Sequence, residues 1–132
     1  MLQYRMDPGT SPESISALRR AVGWGGMEAE LRSPAMNDYL RVACYDGDKL
    51  VGFLGVVSNG VTDAYIQDVM VHPDYQGRGI GAGLMNRAME RLKHDRIYMI
   101  SVIYGGEELR PFYEKFGFRT MLCGQLETRP ER

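Results

Sequence analysis

A glycine-rich run near the middle of the chain has the residue types needed to bind a phosphate or a pyrophosphate. An apolar, strand-like segment ends at Pro73, and glycines then occupy every second position from Gly77 to Gly83. Without side chains, these positions leave the backbone open to a ligand. An apolar stripe at helical spacing follows from Ile80 to Leu92. The unpaired N–H groups and the dipole at the start of such a helix favour an anion.

Two common phosphate-binding patterns do not fit this run. A Walker A loop requires Gly-x-x-x-x-Gly-Lys-Ser/Thr, and the chain has no such spacing. The dinucleotide-binding fingerprint Gly-x-Gly-x-x-Gly/Ala is matched in residue type by Gly77, Gly79 and Ala82. It also requires an acidic residue about 20 positions later. The corresponding strand-like segment, residues 97–102, contains no carboxylate. That fingerprint also normally follows the first strand of its fold, whereas three predicted strands precede this loop's own strand, which argues against an oxidoreductase of that type.

A third pattern, Gln/Arg-x-x-Gly-x-Gly/Ala, is satisfied by Gln76, Gly79 and Gly81. It resembles motif A of the GCN5-related N-acetyltransferase (GNAT) superfamily, whose members bind acetyl-CoA. Residues 109–118 read Leu-Arg-Pro-Phe-Tyr-Glu-Lys-Phe-Gly-Phe and are similar to a later signature of the same family. The two motifs stand in the family's order, with a predicted helix and strand between them, and together they span the second half of the chain.

The resemblance implies which residues contact acetyl-CoA. The backbone of the strand before motif A would lie along the pantetheine arm, and the loop with the helix start would bind the pyrophosphate. Arg78 could reach a phosphate from its place in the loop. The implied cofactor-binding residues are Val69, Met70, Val71, Gln76, Gly77, Arg78, Gly79, Ile80, Gly81 and Ala82.

The resemblance also implies two catalytic residues. Tyr113 matches the family tyrosine that faces the CoA sulfur, and a phenol with a reference pKa near 10 stays protonated at pH 7. Many members carry two acidic residues on the strand before motif A, and here the pair is Gln67-Asp68. Gln67 cannot accept a proton, so Asp68 is the candidate to bind the substrate ammonium or to accept its proton through water. A structural role for Asp68, holding a neighbouring loop, stays open.

The resemblance places the segment around Trp24 over the acceptor end of the cleft. Trp24 lies between glycines and offers a flat apolar wall for an acceptor. Asp68, Glu28 and Glu30 could supply negative charge for an ammonium group. Because the sequence has neither a basic surface for nucleic acid nor a long acidic tract for histone-like tails, a small primary amine is the expected acceptor. The alternative for Trp24 is simple packing in the core between helices.

The remaining periodicities predict one mixed α/β domain over residues 1–132. The resemblance implies a GNAT-like central mixed sheet with helices on both faces. An antiparallel meander precedes a β-loop-α-β-α-β unit. Thr10 and Glu13 have the spacing of a capping box for the first helix, which runs through Ile15, Leu18 and Val22. Further helices are predicted at 27–32, 79–94 and 109–116, and strands at 2–6, 40–45, 50–57, 64–71, 97–103 and 118–126.

Composition restricts the partners and the location. The chain has 132 residues, 44% of them hydrophobic, and a net charge of −1, which argues against a basic nucleic-acid surface. No apolar run approaches the roughly 20 residues of a membrane span, so no membrane partner is expected. Cys44 and Cys123 are isolated and predict a reduced, cytoplasmic protein. Cys44 shares strand parity with apolar neighbours and is predicted to be buried. No metal-ligand spacing is present.

Two functions from different classes fit these observations. The first is an acetyl-CoA-dependent N-acetyltransferase that moves the acetyl group to a small primary amine by direct transfer in a ternary complex. The second is a non-catalytic acyl-CoA-binding or sensing domain, which would keep the glycine loop without needing Tyr113. The sequence leaves the acceptor and the oligomeric state open, with a homodimer among the alternatives.

Overall fold

The computed structural model describes residues 1–131. Its centre is a five-stranded sheet of β1 (Leu2–Met6), β2 (Leu40–Asp46), β3 (Lys49–Ser58), β4 (Asp63–Val71) and β5 (Met99–Val102). The strand order is β1-β2-β3-β4-β5, with antiparallel pairs from β1 to β4 and a parallel pair between β4 and β5. The helices are α1 (Pro12–Ala21), α2 (Glu28–Leu31), α3 (Ile80–His94) and α4 (Arg110–Glu114). This architecture confirms the predicted mixed α/β class.

Helices cover both faces of the sheet. Helix α1 contributes Ile15 and Leu18 to a core on one face, while α3 contributes most of its apolar stripe to a larger core on the other. Residues 50–56 of β3 are all buried. A strand that is covered on both sides has no solvent-facing positions, so it reads as a continuous apolar run instead of an alternation. Cys44 lies in the α3-side core, as predicted.

A glycine in β3 allows α3 to approach the sheet closely. A Cβ atom at Gly52 would lie 2.7 Å from Cγ2 of Ile80 and 3.3 Å from Cδ1 of Leu84. Such a distance to Ile80 is shorter than side chains tolerate, so the first turn of α3 rests on the backbone of β3. The position of the glycine-rich loop before α3 is therefore set by this contact.

Strand β4 contains a β-bulge. Phe53 pairs with Met70 and Gly55 pairs with Gln67, so β4 advances three residues while β3 advances two. Asp68 lies inside this irregularity with φ of +56°, in the left-handed region. A bulge of this kind bends its strand and re-aims its side chains. The period-2 pattern of residues 64–71 predicts the strand but not the bulge.

The bulge changes which residues of β4 face α3. Before it, Ala64 and Ile66 pack into the core on the α3 side, and after it Val69 and Val71 do so. The ladder with β5 also stops at Ile66. Residues 67–71 consequently have no strand beside them on the β5 side among the described residues, and this stretch is called the open edge of β4 below.

The predicted capping box at the start of the first helix is wrong. Helix α1 begins at Pro12, and Ser11 Oγ accepts a hydrogen bond of 3.1 Å from a backbone N–H in the first turn. Thr10 is buried, and its hydroxyl lies 2.9 Å from the hydroxyl of Tyr45. Glu13 points outward into an ion pair. Ser11 is the cap because it directly precedes a proline in the first helical position, where proline is favoured.

The predicted strand over residues 118–126 is also wrong. The described chain after the last helix contains neither helix nor strand, and it lies beside β5 across a groove of about 810 Å³. The Tyr104 and Thr120 hydroxyls meet across this groove. Met121 and Leu122 remain exposed. An alternating pattern forms a strand when one face is buried, and here residues 119–126 are all exposed, with only Phe118 packed against the core.

None of the helices in the described part of the chain has the length and apolar character required to cross a membrane. Within residues 1–131, no group of three or more His, Cys, Asp or Glu side chains is arranged to hold a metal ion.

The substitution Gly52→Ala tests the close contact between α3 and the backbone of β3. We expect it to lower the free energy of unfolding by about 1–3 kcal/mol, because the added methyl group overpacks the contact with Ile80. Gly9→Ala is the matched control, since a Cβ atom there meets nothing within 4 Å. Urea unfolding of both variants measures the difference, and equal stability of the two would show that α3 does not rest on β3 in this way.

Candidate active site

The loop before α3 presents unpaired backbone N–H groups. Gly77 and Gly79 have φ of +81° and +77°, and a Cβ atom at either would enter open space. The first backbone bond of the helix runs from Gly83 N to Gly79 O at 3.0 Å. The N–H groups of residues 80–82 therefore have no partner inside the helix. This geometry fits a diphosphate, which would lie against those N–H groups in the space that the missing side chains leave.

The other two glycines of the run serve packing. A Cβ atom at Gly81 would lie 3.4 Å from Cζ of Phe112, and one at Gly83 would overlap the hydroxyl of Tyr4. Gly83 thus makes room for Tyr4 and not for a ligand, contrary to the interpretation that all four glycines open the backbone. Gly81 brings the helix start into contact with the second motif.

A short turn positions the loop. Tyr75 donates a hydrogen bond from its hydroxyl to Asp46 Oδ2 at 2.6 Å, and this bond is the main cause of the lowered pKa of Asp46. The exposed Arg78 places its guanidinium carbon 4.9 Å from the centroid of the Tyr75 ring. Gln76 Nε2 donates to the backbone oxygen of Val71 at 3.3 Å. Arg78 is therefore available to an anion in the loop, whereas Gln76 joins the loop to the end of β4.

The open edge of β4 begins where the loop ends. It contains the predicted residues Val69, Met70 and Val71, whose side chains are engaged in the two cores. A ligand at this edge would therefore meet backbone groups. Those peptide groups can pair with an extended amide-bearing chain as a neighbouring strand would.

Tyr113 lies in an aromatic cluster. Its side chain is 6% exposed, and its ring stacks on Tyr104 with a centroid distance of 4.7 Å. Phe112 meets it edge-on at 4.9 Å. Burial, followed by Tyr104, raises the pKa of Tyr113. Its hydroxyl has no hydrogen-bond partner among residues 1–131, so it can donate to a ligand.

Phe112 connects the two sequence motifs. It touches the position of Gly81 on one side and Tyr113 on the other. The glycine loop and the aromatic motif, which are separate in the sequence, thus form one continuous surface through a single ring.

Asp68 forms an ion pair with a buried arginine. Arg19 Nη1 lies 3.1 Å from Asp68 Oδ2, and Arg19 Nε donates to the backbone oxygen of Gly25 at 2.7 Å. Burial raises the pKa of Asp68, and Arg19 opposes that rise without cancelling it. Asp68 therefore helps to hold the loop that carries Trp24, which is the structural role left open by the sequence. The ion pair engages Oδ2 of Asp68, so Oδ1 remains available for chemistry among the described residues.

Helix α1 holds the Trp24 loop through two side chains. Arg19 binds one loop carbonyl, and Ser16 Oγ donates to the oxygen of Gly26 at 2.6 Å. Trp24 is 39% exposed, and the guanidinium carbon of Arg19 lies 5.4 Å from the centroid of its ring. Core packing of Trp24 between helices is thus not observed. The indole ring instead lies partly exposed beside the guanidinium of Arg19.

The two glutamates of α2 are already paired with arginines. Glu28 pairs with Arg20, and the hydrogen bond from Arg20 is the main cause of the lowered pKa of Glu28. Glu30 Oε2 lies 3.0 Å from Arg129 Nη2. Each of these glutamates has an arginine partner, whereas Asp68 shares the single charge of Arg19 with Glu131, so Asp68 is the better placed of the predicted acidic groups to meet an acceptor.

Sequence reasoning missed Arg19, Tyr104 and Glu131. Arg19 Nη2 also lies 3.0 Å from Glu131 Oε2, so three charged side chains meet beside Trp24. One signal for Arg19 was present, because it follows Ile15 by four positions and so occupies the apolar stripe of the helix. Tyr104 and Glu131 stand in segments without regular structure and carried no comparable signal.

Comparison with known proteins gives one consistent result. The chain matches the Acetyltransferase (GNAT) family over residues 4–118. It is 30% identical over 109 residues to an uncharacterized N-acetyltransferase of Prochlorococcus marinus, a match that covers 79% of this chain and 60% of that protein. A match to an uncharacterized N-acetyltransferase of Pyropia yezoensis is 36% identical over 70 residues and covers 53% of this chain and 40% of that one. The chain thus spans only part of these curated relatives.

Solved structures of acetyltransferases superpose on nearly the whole chain. A GNAT-family acetyltransferase from Streptococcus pneumoniae superposes with a TM-score of 0.81 at 25% identity, covering 98% of this chain and all of that one. A probable acetyltransferase of unknown function from Staphylococcus aureus gives 0.80 at 28% identity, with 98% and 99% covered. Together with the two motifs joined by Phe112, these matches show that the chain belongs to the GNAT family of acetyltransferases.

Proposed function

We propose that this chain transfers the acetyl group of acetyl-CoA to a small primary amine, by direct attack while both substrates are bound. The observation that carries the proposal is the open edge of β4, which begins at the bulge with Asp68 and ends before the glycine loop. One continuous path thus leads from an anion-binding loop to a carboxylate, with Tyr113 tied to the loop through Phe112.

The parts of acetyl-CoA match successive parts of this path. The diphosphate suits the N–H groups of residues 80–82 and the side chain of Arg78. The pantetheine amides suit the peptide groups of residues 69–71. Acetyl-CoA supplies the activated acetyl thioester, and the protein residues orient it and manage the protons.

Tyr113 would donate a hydrogen bond to the departing thiolate. A simple thiol has a pKa near 8.5 and a phenol near 10, so full proton transfer from the tyrosine is uphill. Burial raises the pKa of Tyr113 further. Its contribution is therefore stabilisation of the sulfur's developing charge by hydrogen bonding.

Asp68 would receive the amine. An alkylammonium with a pKa near 10.4 needs about 4.6 kcal/mol to reach its neutral form at pH 7. The upward shift in the pKa of Asp68 makes its carboxylate a better proton acceptor than an exposed aspartate. Its negative charge would also attract the ammonium form.

The cytoplasmic location, and the lack of nucleic-acid and membrane partners, stay predictions from the sequence.

The first test concerns the loop. We expect Gly79→Ala to weaken acetyl-CoA binding by about tenfold or more, because its methyl group enters the space assigned to the diphosphate. Gly47→Ala is the matched control, since Gly47 also has positive φ and an open environment but lies in the β2–β3 hairpin. Both variants carry the same kind of backbone strain. Calorimetric titration with acetyl-CoA measures the difference, and equal affinities would remove the loop from the binding site.

The second test concerns Tyr113. Tyr113→Phe keeps the aromatic cluster and removes the hydroxyl, so we expect kcat to fall on the order of 10- to 1,000-fold while acetyl-CoA affinity changes little. Tyr98→Phe, at an exposed position, is the control. Thiol release in the presence of amines measures kcat. Acetyl-CoA binding by the unaltered protein without transfer to any amine would favour the sensing domain instead.

The third test separates the chemical and structural roles of Asp68. Asp68→Asn retains an oxygen for Arg19 but removes the basic carboxylate. We expect kcat/KM to fall about 10- to 100-fold with alkylamines and far less with weakly basic arylamines, which are neutral at pH 7. Asp63→Asn, at an exposed position of the same strand, is the control. Equal losses for both classes of amine would assign Asp68 to the structure alone.

A further inference from the structure

Arg19 has the burial and geometry of an anion-recognition residue. It is 9% exposed, although it projects from a helix into the acceptor side of the site. Its guanidinium binds the Gly25 carbonyl through Nε, Asp68 through Nη1 and Glu131 through Nη2. The Trp24 ring lies 5.4 Å from the guanidinium carbon. Two of these partners belong to the folded framework, and the third comes from the C-terminal segment.

The third partner is the one that can be exchanged. The side chain of Glu131 is 49% exposed, and the described segment after the last helix has no regular structure. A neighbouring ion pair, between Arg129 and Glu30, also holds the segment. Glu131 is the exposed member of the pair, because the Arg19 side chain is only 11% exposed, and a ligand carboxylate in its place would keep the buried guanidinium paired. A ligand carboxylate could therefore displace Glu131 without unfolding the chain.

The charges around Arg19 favour a ligand that carries both signs. One guanidinium faces two carboxylates, and Glu131 contributes to the raised pKa of Asp68. A carboxylate in the place of Glu131 leaves the same excess of negative charge unless it brings a positive group with it. Arg19 Nη1 and Asp68 Oδ2 lie 3.1 Å apart. This distance is comparable to the separation of the ammonium nitrogen and the carboxylate oxygens in an α-amino acid.

We propose that the acceptor is an amine with a carboxylate on the adjacent carbon, of the α-amino acid type. Its carboxylate replaces Glu131 on Arg19, its amino group faces Asp68, and its side chain lies against Trp24. In the reaction, the ammonium first loses one proton to Asp68 or to solvent. The neutral amine nitrogen then bonds to the acetyl carbon, the C–S bond breaks, and the thiolate leaves. The second proton of that nitrogen passes to solvent as the amide forms, and the thiolate takes up a proton from solvent to give free CoA. This assignment rests on the proposed acetyltransferase function and adds the class of acceptor to it.

The test uses pairs of acceptors that differ only in the α-carboxylate, such as phenylalanine with 2-phenylethylamine and leucine with 3-methylbutylamine. We expect the carboxylated member of each pair to have a kcat/KM higher by about tenfold or more, the usual effect of a charge-assisted hydrogen bond. The same comparison in Arg19→Lys should lose most of that preference, because lysine keeps the charge but cannot form the guanidinium fork. Melting curves confirm that this variant is folded.

A variant of the C-terminal segment tests the exchange without disturbing the framework. Glu131→Ala should lower KM for the carboxylated acceptors several-fold and leave KM for the decarboxylated amines nearly unchanged, because it removes an internal competitor. Glu127→Ala, in the same exposed segment, is the matched control. An unchanged or higher KM for amino acids in Glu131→Ala would show that Glu131 belongs to the framework and would overturn the exchange.

The outcomes separate this inference from the function on which it rests. Equal kcat/KM within each pair would overturn the inference and leave the acetyltransferase in place. Binding of phenylalanine by calorimetry to the acetyl-CoA-saturated protein, without acetyl transfer, would support the Arg19 site and contradict the proposed function. If the protein neither acetylates any amine nor binds phenylalanine, both the inference and the proposed function are overturned.

Discussion

The bulge of β4 is the constraint on which the rest of the site depends. One extra residue at Asp68 turns the strand so that Val69 and Val71 face α3 while Met70 faces α1. At the same point the ladder with β5 ends, and an edge of peptide groups becomes available between two otherwise paired strands. An extended ligand could therefore pair with residues 67–71 as a neighbouring strand would.

The bulge also explains why a charged helix position is buried. Asp68 is held with left-handed backbone geometry and points toward α1, where Arg19 meets it. A buried arginine is tolerated when its donors have partners, and Arg19 has a loop carbonyl and two carboxylates. The acceptor side is thus organised by one guanidinium, which fixes the Trp24 loop and balances Asp68.

On the other side of the open edge, packing joins the glycine loop to the aromatic motif. Gly52 seats the start of α3 on β3, and Gly81 lets Phe112 reach the first turn of that helix. Tyr113 then lies between Phe112 and Tyr104 with its hydroxyl unengaged by the described residues. Glycine therefore has two functions in this run: it allows left-handed turns at Gly77 and Gly79 and close packing at Gly81 and Gly83.

The sequence alone determined the features that local chemistry specifies. The glycine loop, the stripe of α3 and the strands of the meander were predictable because spacing and turn residues act over a few positions. The bulge, the Ser11 cap and the irregular segment after α4 were not, and neither was the meeting of Arg19 with Asp68 and Glu131. Those features were decided by the tertiary structure, because burial and charge pairing depend on residues that are distant in the chain.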